Sequence, residues 1–160
     1  MSTAIARASS GLINPPTLLD RTIASFVAGA LLALLSVAAW LTPSPRGYGT
    51  HEQLALRSGG GLQTCTWVAL TGKPCPTCGM TTAFAHAANG DFIAAAKAQP
   101  MGTILAIASA TGFWFALHVA VAGSNAGMIL SGWLGKRALW ASLALLAASW
   151  VYKIATWQTP

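Results

Sequence analysis

Three stretches of the chain run apolar over the length that a bilayer demands. Thr22 to Leu41 holds no charged side chain and is dense in Leu and Ala. Met101 to Gly123 is uncharged throughout, with Phe113, Trp114 and Phe115 in its middle and His118 as its one ionisable group. Ala138 to Trp157 is broken only by Lys153, four residues from its end, where a lysine can reach the headgroups while its stem stays in the apolar layer. Trp140 and Trp157 stand near the two ends of this third run, as interfacial aromatics do. A helix needs about 20 such residues to cross the hydrocarbon with its backbone groups paired internally, so each run predicts a membrane span. The first also has the features of a secretory signal, with Arg7 and Arg21 ahead of it and Ser36-Val37-Ala38 as a cleavage-like step. It outruns the roughly 7 to 15 residues of a signal core and continues through Ala39, Trp40 and Leu41, so an uncleaved anchor is expected.

The expected fold class is an all-α integral membrane protein of about three transmembrane helices, with short helices in the connection between the first two. Its segments are an amino-terminal tail over 1–21, a span over 22–42, an extramembrane loop over 43–100, a span over 101–123, a connection over 124–137 and a span over 138–157. The 43–100 loop is too long for a plain connector and is therefore the candidate functional region. Thr42 to Gly61 reads as loop, with Pro43, Pro45, Gly47, Gly49 and Gly59-Gly60-Gly61. Leu62 to Leu70 is apolar, Thr71-Gly72-Lys73-Pro74 breaks the chain, and Cys75-Pro76-Thr77-Cys78-Gly79 follows. Met80 to Ala88 then predicts a short helix stopped by Asn89-Gly90. Asp91 caps a second from Phe92 to Gln99, and Pro100 either opens the next span or kinks a continuous helix into it. Two short apolar helices beside a span suggest packing at the membrane surface.

Charge narrows the function classes. Of 160 residues 54% are hydrophobic and 8% charged, against roughly 25% charged in an ordinary soluble domain, which excludes that class. The formal charge of +6 is scattered, so no clustered basic face exists for nucleic acid. On three spans, Arg7, Arg21, Lys136 and Arg137 share one side; Arg46, Arg57, Lys73, Lys97 and Lys153 share the other, spread over a long loop and a tail. Because long loops count less in the positive-inside rule, a cytoplasmic amino terminus and an outward 42–100 region are expected. The acidic residues Asp20, Glu52 and Asp91 form no carboxylate pair for acid/base work and leave little from which to build a serine triad. Pro74 after Gly72-Lys73 excludes a phosphate loop, and Gly79 stands where a haem attachment motif needs histidine.

The candidate chemistry lies in the cysteines. Cys65, Cys75 and Cys78 are spaced C-x9-C-x2-C, and such a set suits a disulfide-exchange site, a share of a zinc site, a structural bridge, or simply small buried apolar residues. Pro74 and Pro76 stiffen the approach to each thiol, Lys73 adds positive charge, and a helix beginning just after Cys78 would favour its thiolate. His86, eight residues past Cys78, would stand about 12 Å along a continuous helix and so joins the set only if the chain folds back. His118 lies about 25 Å into its span and cannot reach. His51 meets no such objection.

The stretch from about Gly61 to Pro100 resembles a family of small bacterial membrane proteins defined as a domain of unknown function, numbered twenty-seven fifty-two. The resemblance rests on Cys65, Thr71-Gly72, Cys75-Pro76-Thr77-Cys78-Gly79-Met80-Thr81-Thr82-Ala83, Gly90-Asp91 and Gln99-Pro100. Thr82 stands where the family usually shows arginine, and Gln99 where it shows asparagine. The resemblance implies a bacterial inner membrane and brings no activity or cofactor.

Two functions follow as expectations. In the first, Cys65, Cys75 and Cys78 form a structural or metal-binding knot, with zinc as the metal, for partner binding or assembly. In the second, a membrane thiol-disulfide oxidoreductase uses Cys75 to attack and Cys78 to resolve, with Cys65 as a shuttle; the chain lacks the alternating strands and helices of a thioredoxin-like fold. The first is preferred. A transporter role has little support, with one histidine and no acid within the spans. The expected contacts are the lipid bilayer and a membrane-protein partner or a second copy, the latter through the small residues Gly102, Ala106 and Ala110.

Overall fold

The first long helix starts ahead of its apolar run because two polar residues cap it. Thr17 Oγ1 accepts from the Asp20 backbone N–H at 3.2 Å, and the Asp20 carboxylate accepts from the Thr17 N–H at 2.8 Å. In the computed structural model, which describes residues 17–57, 65–124 and 135–157, this box opens α1, Leu18–Trp40. The described residues continue through α2 (Glu52–Arg57), α3 (Thr66–Thr71), α4 (Met80–Ala88), α5 (Phe92–Ala98), α6 (Pro100–Ala122) and α7 (Lys136–Ala155), and no strand is found among them. The turn formers around 42–61 hide α2: between Gly49 and Gly59 there is no Pro or Gly, and Glu52-Gln53-Leu54-Ala55-Leu56-Arg57 is a run of good helix formers.

Asp91 Oδ1 caps α5 by accepting from the Ala94 N–H at 2.9 Å, and Gly90 takes φ +81° in the turn before it. Pro100 is the first residue of α6, where its missing N–H costs nothing, so α5 and α6 are separate helices and not one kinked rod.

Three helices are long and apolar enough to cross a membrane, with mean hydropathies of 2.2, 1.9 and 1.5 for Leu18–Trp40, Pro100–Ala122 and Ala138–Ala155. Their outer faces leave Phe26, Trp114 and Trp140 exposed, apolar surface that water would not tolerate and lipid would. The chain is a multi-pass membrane protein. α1 and α6 pack antiparallel, which Arg21 fastens by donating to the Ala120 carbonyl at 3.0 and 3.1 Å and to Val121 at 3.3 Å. These are carbonyls that the last turn of α6 leaves without helical partners.

At the opposite end, α4 and α5 form a cap packed on α1 and α6, around Ala83, Ala95 and Ala98. Gly102 makes that packing possible, since a Cβ there would meet the Ala83 Cβ at 2.9 Å. Gly102 and Ala106 are buried within the chain, and Gly102, the first of the small residues expected to join two copies, packs against Ala83 of the cap.

Candidate metal centre

The cap holds the cysteines on a turn fixed from several directions. Cys65 stands at the start of α3, and the chain reverses at Gly72, φ +65°, to bring Cys75 back towards it. The Cys78 N–H bonds the Cys75 carbonyl at 3.0 Å, closing a tight turn. Gly79 then enters α4 at φ +89°, where a Cβ would sit 2.7 Å from the Gly47 carbonyl oxygen and 2.9 Å from that of Ala98. Only glycine fits that approach.

The carbonyls of the turn are pinned by the membrane helices. Trp150 Nε1 donates to Pro74 O at 3.0 Å and Trp157 Nε1 to Gly72 O at 3.1 Å. The fully buried Gln99 donates through Nε2 to Pro76 O at 2.9 Å, while its Oε1 accepts from Ser149 Oγ at 3.0 Å. Ser149 Oγ in turn accepts from the Met101 N–H at 3.1 Å. Thus α6 and α7 hold the turn by their cap-side ends, through groups that would be expensive to leave unpaired.

The sulfurs converge. Cys65 Sγ lies 3.6 Å from Cys75 Sγ, Cys75 Sγ lies 2.9 Å from Cys78 Sγ, and all three fall within 4.8 Å of one another. Tetrahedral zinc with bonds of about 2.3 Å separates its sulfurs by about 3.8 Å, so the first pair fits directly and the second fits once it opens by roughly 1 Å. The Cys75 N–H donates to Cys78 Sγ at 3.3 Å, the kind of backbone support a thiolate takes. The donor set, three soft sulfurs, suits zinc and other thiophilic ions.

The thiols differ in acidity. Burial would raise Cys75, but hydrogen bonds to its sulfur from Cys78, Thr77 and Cys65 outweigh it and bring it below its ordinary value. Burial, with Cys75 beside it, pushes Cys78 up to about 12. The helix entry at α4 therefore does not make Cys78 the ready thiolate that its sequence position suggests, because loss of hydration dominates; Cys75 holds that role.

A cavity of about 330 Å³ opens beside the sulfurs, and His51 and Glu52 line it with Cys65, Cys75 and Cys78. His86 is not part of its lining, and His118 borders a separate cavity with Trp114 and Phe115 in the span. Thr82, where the resemblance expects arginine, is fully buried and bonds Thr50 Oγ1 at 2.8 Å. A cation reaches the turn from α7. Lys153 of α7 is 6% exposed and does not reach for the headgroups, donating instead to Gly47 O at 3.1 Å and Ala98 O at 2.9 Å. Its Nζ lies 3.3 Å from the point where a Gly79 Cβ would stand. The lone charge within an otherwise apolar run was the signal for this role.

No curated protein and no solved structure matches the chain. Residues 65–120, which carry the three cysteines, the turn, α4, α5 and most of α6, match the model of a family described as protein of unknown function, DUF2752.

Proposed function

We propose that this membrane protein carries a metal-tied knot, with zinc held on Cys65, Cys75 and Cys78, and that the knot shapes the cap for docking to a membrane partner. The observation that carries the reading is the convergence of three sulfurs from two separate segments to within 4.8 Å. The metal would supply a cross-link between α3 and α4. α3 has only six residues, too few to hold its helix unaided, and a ligand at Cys65 would fix its start. Leu70 and Ile93 stand exposed on α3 and α5, apolar side chains available to lipid or to a partner helix. The cap is assigned to the outer face of a bacterial inner membrane, on the basic residues Lys136 and Arg137 of the short connection at the other end.

Thiol labelling of the detergent-purified protein tests the knot. The expected result is three cysteines protected from a maleimide until a zinc chelator is added. Free reaction without chelator, or protection relieved only by a reductant, would overturn it.

A second reading draws on the unequal acidities of Cys75 and Cys78 and their 2.9 Å separation. Here the Cys75 thiolate attacks a protein disulfide, whose S–S bond breaks and whose leaving sulfur takes a proton. The Cys78 sulfur, losing its proton, then attacks the mixed disulfide. The substrate leaves as a dithiol, and Cys75 and Cys78 are left as a disulfide. Protection relieved only by a reductant is the outcome that favours this reading.

A further inference from the structure

Three sulfurs leave a tetrahedral ion one position short, and a structural zinc site is normally closed by a fourth protein ligand. The chain offers few groups for it. Besides the cysteines it has three histidines and three acidic residues. Of these, only His51 and Glu52 line the cavity that holds the sulfurs. Glu52 is already engaged, its carboxylate 3.6 Å from the Arg46 guanidinium. The imidazole of His51 has no hydrogen-bond partner among the described residues, and the side chain is half-buried.

The backbone leading to His51 is anchored beside the cavity that the cysteines line. Thr50, the preceding residue, is fully buried, and its hydroxyl bonds Thr82 on the first turn of α4 at 2.8 Å and accepts from the Ser44 N–H at 3.0 Å. Tyr48 is buried against Trp157, with ring centroids 4.6 Å apart, and Lys153 holds the Gly47 carbonyl. The segment is thus anchored on both α4 and α7 immediately before the histidine, beside the cysteine turn.

We infer that His51 supplies the fourth ligand, closing a three-sulfur, one-nitrogen site by rotating its side chain across the cavity towards the sulfurs. The inference rests on the metal reading above and extends it, because it ties the segment after α1 to the cysteine turn. The neutral imidazole adds no charge, so three thiolates on a divalent ion leave a net charge of −1, and the Lys153 ammonium stands nearby to offset it.

The test is cobalt substitution of the tag-free, full-length protein in detergent, followed by visible spectroscopy and zinc competition. Wild type is expected to show the intense bands of four-coordinate cobalt. His51→Ala should shift those bands and weaken zinc binding at least tenfold, and added imidazole should restore the spectrum. His51→Cys should keep tight binding and strengthen the sulfur-to-metal charge-transfer band, which guards against a variant that merely folds poorly. Glu52→Gln should change neither readout. Unchanged spectrum and affinity in His51→Ala would overturn the inference while leaving the three-cysteine site standing. Failure of wild type to take up cobalt or zinc at the cysteines would overturn both.

Discussion

The ammonium of Lys153, in the last membrane helix, donates to the carbonyl of Gly47, in the segment that follows the first. A charge in a span is costly unless it is satisfied, and Lys153 finds a second carbonyl at Ala98 and the face of Trp157 at 5.8 Å. One side chain thereby joins the segment after α1, the end of α5 and the end of α7 around the cysteine turn. Lys153→Met should orphan both carbonyls, at about 1–3 kcal/mol each, and should also weaken zinc binding by removing the nearby positive charge. Thermal unfolding in detergent, with and without zinc, checks this. A methionine variant as stable as wild type would show that the ammonium is not a structural tie.

Two glycines of the same loop give a paired test of packing. Gly72 and Gly79 both have positive φ, at +65° and +89°, so alanine at either costs about 1–2 kcal/mol of backbone strain. Only at Gly79 does the added Cβ collide, with the carbonyl oxygens of Gly47 and Ala98. At Gly72 nothing lies within 4 Å. Gly79→Ala should therefore lower the unfolding midpoint well beyond Gly72→Ala and disturb the carbonyls that bind Lys153. Equal losses would mean that the loop shifts freely away from α5.

The acidity difference in the cluster is open to direct measurement. In chelator-treated, reduced protein, Cys75 alkylation should rise with pH through a midpoint below that of an ordinary thiol, because the thiolate is the nucleophile and its hydrogen bonds favour that form. Cys78, whose thiol is held protonated to about pH 12, should stay slow throughout the neutral range. Rates followed by mass spectrometry of the tagged peptide would decide it. Faster labelling of Cys78 than of Cys75 would reverse the assignment.

Membrane orientation is testable through the end of α7. Trp157 donates to Gly72 and Lys153 to Ala98, so α7 ends on the cysteine side. A carboxy-terminal alkaline phosphatase fusion should be active and a green fluorescent protein fusion dark if the cap faces outward. The opposite pattern would place the cysteines in the cytoplasm.

The spans and the cap helices α4 and α5 are legible in the sequence because length of apolar run, capping residues and Gly or Pro stops are local signals. Asp91, Asn89-Gly90 and Pro100 mark those boundaries closely. α2 is hidden because six ordinary helix formers sit between two glycine-rich stretches. The three-cysteine cluster is legible from spacing, but its surroundings are not. Gln99, Trp150 and Lys153 come to the turn from 20 or more residues away through hydrogen bonds to backbone carbonyls, and Ser149 supports Gln99 through its side-chain oxygen, none of which leaves a trace in local pattern. The relative acidity of Cys75 and Cys78 likewise depends on burial, which a motif does not encode.

Metal content of the purified protein tests the central claim most directly. Detergent-solubilised wild type should carry about one zinc per chain, and Cys65→Ser, Cys75→Ser and Cys78→Ser should each lose it while the three spans remain helical. Wild type without zinc or any other thiophilic metal, and with Cys75 and Cys78 interconverting between dithiol and disulfide, would contradict the metal knot.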